Sequence, residues 1–319
     1  MLTAATSTSS RILVVRLGAM GDIIHALPAV ASLKRSYPGS RLTWVVEPKW
    51  APLLEDNPFI DRIVLLRRRT LAGLLESWRA LRAERYGFAV DFQGLIKSAL
   101  AAFAARPDRI FGFHRSQLRE RAAALFYSDK TVSYAAHVVE KNLDLAAAAG
   151  AATLLRTFPL PMGHPEGALP PGDFVLASPL AGWRAKQWPI EHYQALAARL
   201  ERELGIPLVL DGPPGSGLAH CSSLPGLIHA TRRAAAIVGV DSGPLHLAAA
   251  LGKPGVAVYG PTDPARNGPY GDSFRVLRSL AAVTTYKRGR SIDEAMRAVS
   301  PAQVFEALKA MLGERRSLP

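Results

Sequence analysis

One cysteine, Cys221, is all the sulfur chemistry that the 319 residues offer beyond methionine. An intrachain disulfide and a cysteine metal cluster are therefore excluded, and the usage fits the reducing cytoplasm. No apolar run approaches the roughly 20 residues needed to span a bilayer. Residues 1–10 (MLTAATSTSS) have neither a basic start nor an apolar centre, so they read as a disordered extension rather than a signal peptide. There is no H-E-x-x-H, no D-x-D and no G-x-S-x-G, so neither a bound metal nor a serine nucleophile is expected. Acidic residues are outnumbered, 26 against 39 Lys and Arg, and the formal net charge of +13 implies a partner that is anionic: nucleic acid, lipid or a phosphorylated substrate.

What is present points to two α/β domains. Hydrophobic residues make up 49% and charged ones 20%, enough apolar material for sizeable cores, and the length suits two domains. Apolar strand-like runs (11–17, 41–47, 62–66, 88–92, 110–113) alternate with helical patterns (23–37, 50–56, 70–86, 96–105, 135–150). Such alternation predicts a parallel sheet with helices on both faces. After a Pro-, Gly- and Leu-rich stretch from Ala151 to Pro171, the alternation resumes: strands 174–178, 207–210, 237–240, 255–259 and 275–278, helices 190–204, 224–236, 245–251 and 300–316. The expected division is a Rossmann-like domain at 11–160, a linker at 161–171, a second Rossmann-like domain at 172–299, and a terminal helix, 300–319, packing back on the first half. Two doubly wound domains leave a central cleft as the natural ligand position.

The most loaded stretch is Ile237 to Pro264, a βαβ unit with a polar turn after each strand. In the first turn Asp241 or Ser242 caps a helix, Gly243 lets backbone approach a ligand, and Pro244 suits the first helical turn. Backbone N–H groups, Leu245's included, and the positive dipole end there suit a phosphate. His246 lies one turn in, either reaching the ligand or packing. Thr262 and Asp263 occupy the second turn, also beyond a strand's carboxyl end. Lys186 precedes a helix of the same half and has the charge to hold a diphosphate.

In the first half, Gly18, Gly21 and Asp22 occupy the first strand-to-helix turn without the G-x-G-x-x-G spacing of a dinucleotide site. Asp22 is either a helix cap or, facing the cleft, a base for a substrate hydroxyl; His25 either orients it or packs. Cations follow the strands: Arg67, Arg68 and Arg69, then Lys97 beyond Asp91-Phe92-Gln93-Gly94, then Arg115, Arg119 and Arg121. Arg forks at strand ends suit a polyanionic substrate.

The segments Arg16 to Asp22, Asp91 to Ser98, Trp188-Pro189, Asp241 to Ala250 and Tyr259 to Pro264, taken in order, resemble the bacterial lipopolysaccharide heptosyltransferases, glycosyltransferase family nine. The resemblance runs from Arg11 to the terminal helix. It implies a GT-B fold, an ADP-heptose donor on Lys186, Asp241, Ser242, Gly243, Pro244, Leu245, His246, Thr262 and Asp263, and Asp22 as the base. It further implies a Kdo-lipid A acceptor on the first half, where Gly21, His25, Arg67, Arg69, Gln93, Lys97 and Arg119 are the candidates. No metal or other cofactor is expected, since ADP-heptose is a substrate, and no nucleic-acid partner. The reading is of a cytoplasmic monomer held peripherally at the anionic inner-membrane surface. Its rivals are a relative with another nucleotide-sugar donor or acceptor, heptosyltransferase II included, and a non-catalytic nucleotide- or nucleic-acid-binding protein. One departure stands out: where the family carries a helix, a strand and an acid for the donor ribose, only Ser216 to Ser223 is found, with no acid.

Overall fold

The computed structural model describes residues 11–285 and 287–316, so the extension at 1–10 lies outside it. The chain divides after Pro161 into two compact units. In the first, the strands are β1 (Arg11–Val15), β2 (Arg41–Val46), β3 (Arg62–Leu65), β4 (Phe88–Asp91), β5 (Arg109–Phe113) and β6 (Asp129–Thr131). All pair in parallel, in the order β3-β2-β1-β4-β5-β6. Past its first residue β1 is wholly buried, which is why it reads as an unbroken apolar run: a parallel strand covered on both faces has no polar side to alternate with.

The helices of this unit are α1 (Met20–Ser36), α2 (Leu71–Arg82), α3 (Ile96–Ala104) and α4 (Val138–Ala148). Right-handed crossovers running in opposite directions along the sheet cover opposite faces. Hence α1 packs on α4, while α2 and α3 lie together on the other side.

The second unit has β7 (Val175–Ala177), β8 (Leu208–Gly212), β9 (His220–Cys221), β10 (Ala236–Val240), β11 (Gly255–Tyr259) and β12 (Phe274–Arg278). Its helices are α5 (Ile190–Leu204), α6 (Leu224–Arg233), α7 (Gly243–Ala250), α8 (Pro264–Asn267), α9 (Glu294–Arg297) and α10 (Pro301–Arg316). The strand order, β12-β11-β10-β7-β8-β9, repeats that of the first unit. The shortened stretch still supplies a strand, β9, although it has no helix. In helix α10 the buried residues Val304, Phe305, Leu308 and Leu312 join the second unit's core, because their i, i+4 stripe matches the apolar face of α5.

The connecting stretch is tied down on both sides of the division. Ser36 Oγ accepts from Ala152 and Thr153 N–H, and Asn57 donates to Pro159 O at 2.9 Å. Beyond Pro161, Glu166 accepts from the Ser223 hydroxyl and N–H at 2.5 and 2.7 Å. These bonds explain how a stretch without periodic structure is nonetheless ordered.

In each unit the strand order reverses at one point: between β1 and β4 in the first, between β7 and β10 in the second. In doubly wound sheets ligands bind outside the strand ends at that reversal. Both groups of candidate residues fall there.

Candidate active site

In the second unit the site is centred on Asp241, buried at the end of β10. Its Oδ2 accepts from Lys186 Nζ at 2.9 Å, a bond that reaches across the reversal from the short 3₁₀ turn Arg184–Lys186. Its Oδ1 accepts from Asn267 Nδ2 at 3.2 Å, and His246 Nε2 lies 3.5 Å away. Burial alone would raise this carboxyl, but the hydrogen bond from His246 and the charge of Lys186 outweigh it and hold Asp241 well below the usual carboxylate range. The result is a buried anion that fixes a lysine in place, with the Lys186 ammonium also 4.8 Å above the Trp183 ring.

Beside that pair begins α7. Its first-turn N–H groups have no intrahelical acceptor, and Pro244 in the turn has no N–H to waste. Ser242 stands at the N-cap in extended conformation, yet its hydroxyl caps nothing. Ser242 Oγ and Thr262 Oγ1 are both buried without a hydrogen-bond partner. A buried hydroxyl left unpaired costs about 1–3 kcal/mol, and these two lie in adjacent strand-end turns with hydrogen-bonding capacity unused. Leu245 contributes only backbone here, since its side chain is buried beneath Gly239. Asp263 is committed locally: its Oδ1 accepts from Ala265 N–H at 2.9 Å and starts α8.

In the first unit Asp22 sits in the first turn of α1. One carboxylate oxygen accepts from Ala19 N–H at 3.0 Å and the other pairs with Arg16 at 2.7 Å. The sequence offered capping and catalysis as alternatives; Asp22 caps the helix and still leaves 47% of its side chain exposed. Arg16 is 7% exposed and also donates to Phe92 O, so the guanidinium that orients Asp22 is itself anchored across the reversal. Gln93 makes a second tie there, its Oε1 accepting from Leu17 N–H at 2.7 Å.

Behind Gln93 lies Asp91, fully buried, accepting from Gln93 and Gly94 N–H, from Ser98 Oγ at 2.8 Å and from Tyr127 OH at 2.7 Å. Desolvation dominates and raises its carboxyl despite those four donors. Gly21 is buried at the second position of α1. His25 is buried too, edge-on to His137 at 5.5 Å, while its carbonyl accepts from Asn142.

The cations gather around a groove of about 690 Å³ lined by Glu47, Lys49, Arg67, Arg68, Arg69 and Thr70, among others. Glu47 pairs with Arg68 at 2.9 Å and Lys97 at 3.4 Å. Its own burial would raise its carboxyl, but the two cations outweigh that and leave it lowered. Among the described residues, the ion pair of Arg67 is a long contact to Glu76, 3.7 Å, between exposed side chains. Arg69 is exposed, with no ion pair among the described residues. Arg119 is 74% exposed beside Glu120. Among the described residues, no group of three His, Cys, Asp or Glu side chains is placed to hold a metal ion.

Sequence reading missed three residues of this machinery: Arg16 as the anchor of Asp22, Glu47 as the hub of the cations, and Asn267 as a donor to Asp241. Arg16 alone carried a signal, as a charged residue closing an otherwise buried apolar strand. Glu47 and Asn267 belong to no motif, and only folding brings them in.

Comparison with known proteins identifies the family. The profile of glycosyltransferase family 9 (heptosyltransferase) matches residues 74–295. Lipopolysaccharide heptosyltransferase 1 of Escherichia coli K12 is 30% identical over 84% of this chain and 93% of its own length. The Pseudomonas aeruginosa protein of the same name is 31% identical over 82% of both chains. E. coli heptosyltransferase WaaC, solved with ADP, superposes with a TM-score of 0.77 at 26% identity, over 94% of this chain and 99% of its own. It has also been solved with ADP-2-deoxy-2-fluoro heptose, with a TM-score of 0.72 at 27% identity over 96% and 99% of the two chains.

Proposed function

This chain belongs to glycosyltransferase family 9, the heptosyltransferases, and from that we propose that it moves heptose from ADP-L-glycero-D-manno-heptose onto the Kdo region of a lipid A-linked acceptor, inverting the anomeric carbon. The observation that carries the donor assignment is the pair of unpartnered buried hydroxyls, Ser242 and Thr262, beside the fixed ammonium of Lys186 at the start of α7. One positive charge, a helix N-terminus and two hydroxyl donors form a set suited to a diphosphate without a metal ion.

In the proposed step, Asp22 takes the proton of the acceptor hydroxyl. The oxygen forms a bond to the anomeric carbon while the bond from that carbon to the β-phosphate oxygen breaks, and ADP leaves with the electron pair. The charge gained by the diphosphate is met by Lys186 and by the first turn of α7. Arg16 and the Ala19 N–H hold the Asp22 carboxylate toward one direction, which limits the reorganisation the step requires. Arg67, Arg69, Lys97 and Arg119 are the groups proposed to grip acceptor phosphates and carboxylates. With a lipid-linked acceptor the protein would work peripherally at the inner membrane; no helix among the described residues is long and apolar enough to cross one.

Calorimetric titration with ADP, beside UDP and NAD and without divalent metal, tests the donor site. Selective heat with ADP is the expected result. Equal affinity for UDP would turn the assignment toward a relative with a different donor, and no binding of any of the three would reject the site.

A further inference from the structure

Helix α2 is inside out. The residues it buries are the small Gly73 and Ser77, with Leu81 as its one buried large side chain. Ser77 fastens the seat, donating to Leu65 O and accepting from Arg67 N–H at 2.8 Å. The large apolar side chains Leu71, Leu74, Leu75 and Trp78 all face outward, with Leu71 86% exposed. Their spacing, i, i+3, i+4 and i+7, is that of a continuous stripe along one helix face. Burying leucine against the sheet is what folding favours, so a stripe turned away from its own core is a surface kept for something else.

The stripe does not end with α2. Helix α3 packs beside it, and Arg82 Nε donates to Ala104 O at 3.1 Å to join their C-terminal ends. Ile96, Leu100 and Phe103 of α3 are exposed in turn, and Phe103 packs edge-on against Phe126, next to Leu125, which is 85% exposed. Around this apolar field positive charge is in excess: from Arg67 to Arg85 there are six arginines against two glutamates. Arg82 lies over the Trp78 ring at 4.3 Å, an amphipathic pair of the kind found where a surface meets lipid headgroups.

We propose that this face of α2 and α3 seats the protein on an anionic lipid bilayer, the apolar stripe entering the headgroup region and the arginines pairing with lipid phosphates. An apolar helix face flanked by arginines fits that occupant: the bilayer supplies both an apolar interior and fixed negative charge, whereas a soluble protein partner would have to match the arginine excess residue by residue. The proposal deepens the reading above, in which the acceptor is lipid-linked, by naming the surface that meets the membrane. The basic groove opens on the same helix, through Thr70, Ala72 and Gly73, so a headgroup reaching it would come from the layer on which α2 rests.

The test uses the full chain and flotation with two kinds of vesicle, phosphatidylethanolamine with phosphatidylglycerol, and phosphatidylcholine alone. The wild type is expected to float with the anionic vesicles, less so at high salt, and to stay behind with the neutral ones. A variant carrying Leu74→Ser, Leu75→Ser and Trp78→Ser should lose about tenfold or more of that partitioning while still unfolding cooperatively, because the three side chains are 44–46% exposed and none belongs to the core. Val283→Ser, an exposed apolar residue of the other unit, should change nothing. Flotation of the triple variant equal to wild type would overturn the proposal, as would failure of the wild type to float. A triple variant that merely dissociated a dimer, seen by sedimentation, would assign the face to a second copy instead. Flotation needs no donor and no turnover, so its failure leaves the transferase reading standing, and loss of that reading leaves the flotation result intact.

Discussion

Replacing Thr262 by Val and Ser242 by Ala should move stability and affinity in opposite directions. Both hydroxyls are buried and unpaired in the free protein, so each represents a desolvation cost of about 1–3 kcal/mol that folding has to carry. Valine keeps the shape of threonine, and alanine removes one atom from serine at an extended N-cap whose side chain makes no capping bond. Each substitution is therefore expected to leave the free protein as stable as before or up to about 1 kcal/mol more stable. Binding of ADP should suffer, because a hydrogen bond to a charged oxygen contributes about 1.5–3 kcal/mol, which is roughly 10- to 150-fold in dissociation constant for each site. Thermal or urea unfolding gives the first quantity and calorimetric titration with ADP the second. If either variant lost stability while binding ADP as tightly as wild type, the hydroxyl would be an ordinary structural group and the phosphate site would be misplaced.

Two further outcomes follow from the charged networks. Asp241 has a folded-state value lowered from its ordinary 3.8, so its contribution to stability is fully present above that value and is lost as pH falls through the folded one. Unfolding measured between about pH 2 and pH 5 should show a steep acid limb that Asp241→Asn flattens, and an unchanged limb would contradict the ion-pair account. Tyr127→Phe removes one of the donors to the buried, desolvated Asp91 and should cost about 1–3 kcal/mol, measured by urea denaturation; a neutral result would mean that Asp91 is not relying on that bond.

Much of this was legible because buried parallel strands are apolar throughout. RILVV, AIVGV and GVAVY announce themselves, and their strand ends locate the turns where Asp22, Asp241 and Thr262 lie. Polar or minimal strands did not: β6 is Asp-Lys-Thr on a sheet edge, and β9 has only His220 and Cys221. The short α8 and α9 begin at Asp263 and Asp293, whose carboxylates accept from N–H groups two residues on, a capping too local to distinguish from a turn. Contacts across long sequence separation were the other blind spot. Lys186 and Asp241 could each be singled out by type, but their pairing depends on where the sheet reverses. The inverted amphipathicity of α2 was half visible: the sequence showed a helical pattern at 70–86, while only the packing of Gly73 and Ser77 revealed which face is buried.

The central claim is that Asp22 removes a proton in a glycosyl transfer, and a single-turnover assay tests it most directly. Wild type and Asp22→Ala are each given ADP-heptose and Kdo-lipid A, and the released ADP and the heptosylated product are measured together. The account predicts product from wild type, a rate lower by about 10²- to 10⁴-fold in the variant, and ADP binding that differs little between them. Transfer by Asp22→Ala at a rate comparable to wild type would contradict it.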